Sequence, residues 1–255
     1  MSNQSQANLN KINENPASRR AASSHTPKAV CVYCGSGHGT NSVYTEAAIT
    51  LGQAFSAASI RLIYGGGGMG LMGEVARATI SSGGKVTGII PNFLSEREHM
   101  LRDVDELIVT DDMHQRKRLM FERSDAFVAL PGGIGTLEEL VEQLTWSQLG
   151  QHQKPIIIAN IDGFWDPFIA LLKHMRSQQF IRDGLDVNFT VVTDADAIVP
   201  AIVLACRWAG VPPPDEVSVE EWESGCECGG GGEVEEERAS GLGSAPGSGG
   251  GWGGG

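Results

Sequence analysis

The stretch Ala126-Phe127-Val128-Ala129-Leu130-Pro131-Gly132-Gly133-Ile134-Gly135-Thr136-Leu137-Glu138-Glu139 runs from an apolar segment, through a glycine turn, into residues with helical spacing. A short apolar run ending in such a turn marks a buried strand followed by a helix that covers it. The same pattern extends outward in both directions. Apolar runs recur at Ala29 to Tyr33, Arg61 to Tyr64, Lys85 to Ile90, Glu106 to Val109, Pro155 to Ile161 and Phe189 to Thr193. Between the runs, Val43 to Ala58, Leu71 to Ser81, Met113 to Arg123, Leu137 to Leu149, Trp165 to Gln178 and Ala195 to Ala209 can each place apolar residues on one helix face. The alternation predicts a single Rossmann-like α/β domain, a parallel sheet with helices on both faces, because right-handed crossovers put the helices outside. Ligands of such sheets bind at the carboxyl ends of the strands, so function is to be sought in the loops that leave them.

Three of those loops are rich in glycine. The first, Cys34-Gly35-Ser36-Gly37-His38-Gly39, could bring backbone amides and the Ser36 hydroxyl to an anion, with His38 read as an exposed turn residue. The second, Tyr64-Gly65-Gly66-Gly67-Gly68-Met69-Gly70-Leu71-Met72-Gly73, has too many glycines for an ordinary turn and predicts a phosphate-bearing ligand near Gly66 and Gly67. It matches neither the dinucleotide fingerprint nor a P-loop, since no Lys-Ser/Thr follows. The third is the turn quoted first, where the amides of a helix start and the Thr136 hydroxyl form an anion cradle. A capping box is the competing reading of Thr136-Leu137-Glu138-Glu139, with Thr136 capping and Glu139 reaching back.

Met113-His114-Gln115-Arg116-Lys117-Arg118 opens the preceding helix, where cations oppose the positive end of the helix dipole. A bound anion would relieve that opposition. The expectation is that two neighbouring strand ends present Arg116 and the amide cradle to one crevice, with Arg118 on the surface.

Composition narrows the classes. The net charge is −12, and residues 212–255 alone hold ten acidic residues against one Arg, so the remainder is only mildly acidic. This excludes a general nucleic-acid or anionic-membrane surface, which needs clustered Lys and Arg. No run of eighteen apolar residues exists to span a membrane. Five cysteines do not make a disulfide framework, and a reducing, cytoplasmic setting is expected. Cys31-x-x-Cys34 reads as buried strand thiols, and no cluster has convincing metal-ligand spacing. Residues 1–27 lack apolar periodicity and a secretory core, and residues 211–255 pass from prolines into acidic and Gly/Ser blocks. Both are expected to be disordered around a domain at 28–210.

The pairing of Met113-His114-Gln115-Arg116-Lys117 with Pro131-Gly132-Gly133-x-Gly135-Thr136-x-x-Glu139 resembles the signature of the Lonely Guy family. The resemblance spans about Ala29 to Ala209 and includes the Cys-Gly-Ser loop, Tyr64-Gly65-Gly66-Gly67, Gly70-Leu71-Met72-Gly73, Gly88-Ile89-Ile90-Pro91 and Thr145-Trp146-x-Gln148-Leu149-Gly150. It implies cleavage of the N-glycosidic bond of N6-substituted adenosine 5′-monophosphates, releasing a cytokinin base and ribose 5-phosphate without metal or organic cofactor. It also implies Arg116 and Glu139 as the catalytic pair, substrate contacts at Glu98, Lys117, Gly132, Gly133, Gly135, Thr136 and Thr145, and a homodimer. Departures from the family pattern are Gly37 in place of a second serine and Gly68, which is expected to loosen the second loop. Relatives have been labelled lysine decarboxylases, but no lysine here has a recognisable pyridoxal-phosphate setting. The alternatives are a general AMP or nucleotide nucleosidase and a non-catalytic carrier of a nucleotide or pterin phosphate.

Overall fold

The computed structural model describes residues 26–95, 99–182 and 184–208. The expected disorder of 1–27 and 211–255 falls outside these residues except at Thr26 and Pro27, and Glu98 falls outside them as well.

Seven parallel strands form one sheet in the order β4-β3-β2-β1-β5-β6-β7, comprising β1 (Ala29–Tyr33), β2 (Arg61–Tyr64), β3 (Val86–Pro91), β4 (Glu106–Thr110), β5 (Ala126–Ala129), β6 (Ile156–Ala159) and β7 (Thr190–Val192). Every strand expected from the apolar runs is present. The helices are α1 (Ser42–Ala57), α2 (Gly70–Ser81), the short α3 (Asn92–Ser95), α4 (Met113–Glu122), α5 (Ile134–Gln148), α6 (Asp166–Ser177) and α7 (Ile198–Trp208). Sequence periodicity passed over α3, since one turn is too short to show a period.

Strand residues alternate between two cores, as the period of two requires. Val30, Val32, Leu62, Tyr64 and Val128 meet α1, α2 and α7 on one face. Cys31, Tyr33, Ile63, Phe127 and Ile158 meet α4, α5 and α6 on the other. Such two-sided burial explains why the strands read as nearly continuous apolar runs. Helix starts are fixed locally: Asn41 accepts from the Val43 amide at 3.2 Å to cap α1, and Asp112 accepts from the Gln115 amide at 2.8 Å to cap α4.

The chain adds β2, β3 and β4 on one side of β1, then returns through α4 to lay β5 on the other side. The order therefore reverses between β1 and β5, and a crevice opens there at the carboxyl ends of the strands. One expectation is corrected at this point. β4 and β5 are not neighbours, because β3, β2 and β1 lie between them. Arg116 reaches the crevice by another route: α4 crosses the sheet on its way from the β4 edge to β5.

Candidate active site

The loops after β1, β2 and β5 are tied to one another at the crevice. The Gly35 amide donates to the Pro131 carbonyl at 3.1 Å, joining the first loop to the third. The Leu71 and Met72 amides, in the first turn of α2, donate to the carbonyls of Gly37 and Gly35, both at 3.3 Å, joining the second to the first. Gly70 has φ +55 and lies so close to Ser36 that a Cβ there would stand 2.3 Å from the Ser36 carbonyl carbon. No side chain fits that junction.

The second loop is therefore a packed joint. Gly66 and Gly67 are buried, and a Cβ on Gly66 would press into Ile90, so these two expected ligand contacts sit inside the fold. Gly68, expected to loosen the loop, does the reverse. Its amide donates to the His99 carbonyl at 3.1 Å, and a Cβ would come within 2.4 Å of that oxygen. With the Leu101 amide bonded to the Gly66 carbonyl at 3.1 Å, the fourth glycine lets residues 99–101 lie flat along the loop.

The third loop is open. Helix α5 starts at Ile134, with Gly133 as its N-cap and no side-chain cap bond, so the capping-box reading is overturned. Thr136 lies inside the first turn, where its own backbone is already helical and its side chain cannot serve as N-cap. Gly133, Ile134 and Gly135 are exposed, and a Cβ on Gly133 or Gly135 would meet nothing within 4 Å. First-turn amides of a helix have no partner within it and carry the positive end of its dipole. Here Ile134 and Gly135, which carry two of them, are exposed beside the crevice, while Thr136 is buried. Gly132 is packed instead, with the Thr136 hydroxyl filling the space a side chain would need.

Glu139, one turn further along α5, points inward. Its carboxylate lies 3.2 Å from Arg116 Nη1, and both residues are only 8% exposed. Arg116 is held from two other directions: Nε donates to the Ile89 carbonyl at 3.2 Å, and the guanidinium occupies the space that a Cβ on Gly65 would take. Burial pushes the Glu139 carboxyl above its ordinary value; Arg116 pulls it back, Glu138 adds to the rise, Lys117 opposes it and Glu142 adds again. The negative charge of Glu139 in turn helps burial raise the thiols of Cys31 and Cys34 and the Tyr33 hydroxyl. Both thiols are free and buried, Cys31 within β1 and Cys34 directly after it.

Of the other expected residues, Ser36 is exposed at the loop junction, and Arg118 and His38 are exposed. Lys117 turns toward α5, bonding Glu138 at 2.5 Å and Glu142 at 3.0 Å. Thr145 is not with the rest. It is exposed, its hydroxyl donates to the Val141 carbonyl at 2.7 Å, and it stands eleven residues along α5 from Ile134, about 16 Å at 1.5 Å per residue. Sequence reasoning missed Gly65, which makes room for Arg116, and Glu142, which shares the Lys117 ammonium. Glu142 stands three residues after Glu139, and that helical spacing could have revealed it.

Among the described residues no group of three or more His, Cys, Asp or Glu could hold a metal ion, and no helix is long and apolar enough to cross a membrane. A family model described as possible lysine decarboxylase matches residues 72–202. A protein of Oryza sativa subsp. japonica named probable cytokinin riboside 5′-monophosphate phosphoribohydrolase is 48% identical over 155 residues, 61% of this chain and 64% of its own length. The chain thus spans less than two thirds of that relative. A Rhodococcoides fascians protein named cytokinin riboside 5′-monophosphate phosphoribohydrolase is 42% identical over 178 residues, 69% of this chain and 90% of its own length. The molybdenum cofactor binding protein of Rippkaea orientalis shares the fold, with a TM-score of 0.51 and 25% identity over 68% of this chain and 94% of that one. With the arginine, glycine and glutamate motifs all in place around one crevice, the chain belongs to the Lonely Guy family, the group that the possible lysine decarboxylase model describes.

Proposed function

We propose that this protein hydrolyses the N-glycosidic bond of N6-substituted adenosine 5′-monophosphates, releasing the free base and ribose 5-phosphate. The observation that carries the reading is the buried Arg116–Glu139 pair one turn below an uncapped helix start. A phosphate would sit against the amides of Ile134, Gly135 and Thr136, with the Thr136 hydroxyl and the open backbone of Gly133 beside it. Cleavage at C1′ builds positive charge on the sugar ring, and Glu139 supplies the carboxylate to stabilise it and to orient or deprotonate the attacking water. Arg116 holds sugar or phosphate oxygens and keeps Glu139 aimed. Binding the remote phosphate provides energy that can be used at the bond that breaks.

A homodimer is part of the same proposal. Ile134 and Val141 on α5 and Leu149 at its C-cap are exposed apolar residues at spacings that share a face with Thr145, an arrangement that suits burial against a second copy. Thr145, too far along α5 for its own crevice, would then serve the partner's. The buried free thiols fit a cytoplasmic setting.

The test is release of free base from N6-isopentenyl-AMP, AMP and N6-isopentenyladenosine by the purified chain. The N6-substituted monophosphate should react fastest and the unphosphorylated nucleoside far more slowly. Glu139→Gln and Arg116→Ala should each lose about a hundredfold or more in turnover. Parent-rate turnover by Glu139→Gln would sink the assignment. Equal rates on nucleoside and nucleotide would sink the phosphate anchor, preference for AMP would make it a general nucleosidase, and tight binding without turnover would make it a carrier.

A further inference from the structure

Lys117 and Arg116 are adjacent on α4, and both reach across to α5. Arg116 meets Glu139, while the Lys117 ammonium bridges Glu138 and Glu142, which flank Glu139 at one residue and at three. Two cations of one helix thus face three carboxylates of the other. Lys117 is mostly covered and Glu142 only partly exposed, so that arm of the bridge is not a loose surface pair, while Glu138 is the exposed arm. Glu138 and Glu142 are four residues apart on one helix face, where like charges repel unless something stands between them. Two of the three ammonium N–H groups are committed to that task.

Resting on the proposed hydrolase reading, we propose that Lys117 is a positioning residue: by clamping Glu138 and Glu142 from α4 it locks α4 against α5 and offsets the two charges beside Glu139, keeping the Arg116–Glu139 pair in register. This differs from a direct contact with substrate phosphate. The charged and titratable groups around Glu139 are Arg116 and Lys117 from α4, Glu138 and Glu142 from α5, and Cys31, Tyr33 and Cys34 from β1 and the residue after it. Burial lowers the affinity of Lys117 for its proton, but the hydrogen bonds to Glu138 and Glu142 outweigh burial and its pKa lies above the ordinary lysine value. The ammonium is charged throughout the neutral range. Removing it would leave two carboxylates unopposed beside Glu139, which would hold its proton to higher pH.

The experiment compares the full chain with Lys117→Met and with the triple variant Lys117→Met/Glu138→Gln/Glu142→Gln. Steady-state kinetics would use N6-isopentenyl-AMP, and the carboxyl resonance of Glu139 would be titrated by ¹³C NMR and assigned by its loss in Glu139→Gln. Lys117→Met should lower kcat by about tenfold with KM within about twofold, and should move the Glu139 titration to higher pH. In the triple variant the extra charges are gone along with their partner, so the titration should return most of the way to the parent, while kcat should recover only in part because the clamp between α4 and α5 is still missing. A triple variant no better than Lys117→Met, with KM for the monophosphate raised about tenfold in both and the titration unmoved, would make Lys117 a phosphate ligand and overturn the proposal. The NMR readout needs no turnover. A parent chain inert on every nucleotide but with a Glu139 titration that shifts and recovers would sink the hydrolase reading and leave the role of Lys117 standing.

Discussion

Two of the helices that follow glycine-rich loops, α2 and α5, begin in opposite ways. At α2 the Leu71 and Met72 amides are taken up by the carbonyls of Gly37 and Gly35, and Gly70 is pressed against Ser36. At α5 the N-cap has no side-chain bond, Ile134 is 82% exposed, and Gly133 and Gly135 border open space. The same residue type answers two different demands. In the first loop pair, glycine lets protein backbone pass close to protein backbone. In the second, it leaves amides uncovered for something that is not protein. A helix dipole exists at both starts, but at α2 two of the first-turn amides are taken up by the first loop, whereas those of α5 have no such acceptors among the described residues.

The contrast breaks most visibly on stability. Gly70→Ala adds a Cβ 2.3 Å from a carbonyl carbon at φ +55, combining overpacking with left-handed strain, and should cost about 3 kcal/mol in urea unfolding. Gly135→Ala adds its methyl to open space inside a helix and should leave stability unchanged or raise it by up to about 1 kcal/mol. Its cost should appear in binding instead, as a rise of about tenfold in KM for the nucleotide monophosphate, because the methyl lies on the approach to the amides. If Gly135→Ala unfolded as readily as Gly70→Ala, or left KM untouched, the two helix starts would not differ as described.

The pair beneath the open start gives a pH-dependent effect of intermediate size. Burial raises the Glu139 carboxyl, with Arg116 partly opposing the rise, so its ionised form accumulates above the ordinary carboxylate range. If the ionised form is the working one, kcat/KM should climb with pH along an acid limb displaced upward from that range. Linkage gives the sign for stability: the folded chain holds this proton longer than the unfolded chain, so the Glu139 contribution declines as pH rises from the unfolded pKa through the folded one. Glu139→Gln should abolish the limb and remove that component of the stability profile. A limb at the ordinary carboxylate position would mean that Arg116 wins over burial.

The sheet was legible because its five inner strands are covered on both faces, which turns each into a short apolar run that glycine or polar residues bound on either side. Arg116 and Glu139 were legible through family motifs and through chemistry. Their meeting was not legible from local rules. The expectation that β4 and β5 are neighbours reached the right crevice by a wrong path, since strand order is set by packing of whole crossovers and leaves no mark on single residues. Glycines misled in the same way. Gly66 and Gly68 look in sequence like Gly133 and Gly135, because burial, which separates them, depends on residues 90 and 99 arriving from elsewhere in the chain. Thr145 carried a family role although the helix expected over Leu137 to Leu149 already set it well beyond the amides at that helix start.

The smallest effect concerns Thr136, where a cap was the competing reading of the sequence pattern and the structure places the residue in the first turn. If Thr136 capped α5, Thr136→Val would lose the side-chain bond and cost about 0.5–2 kcal/mol. Because the N-cap is Gly133, the substitution removes only a hydroxyl that packs against Gly132, and Val retains the branched shape that fills that space. Stability should therefore move by no more than about 0.5 kcal/mol, the range of substitutions that break no specific feature. The hydroxyl should be missed only by a ligand: the 5′-monophosphate should bind about threefold to tenfold more weakly, and the nucleoside without phosphate should show no such change. Equal weakening of both would place the hydroxyl at the sugar or base instead of the phosphate. A melting point lowered by several degrees with both affinities intact would restore the cap, and with it a helix start already satisfied and no freer to hold an anion than that of α2.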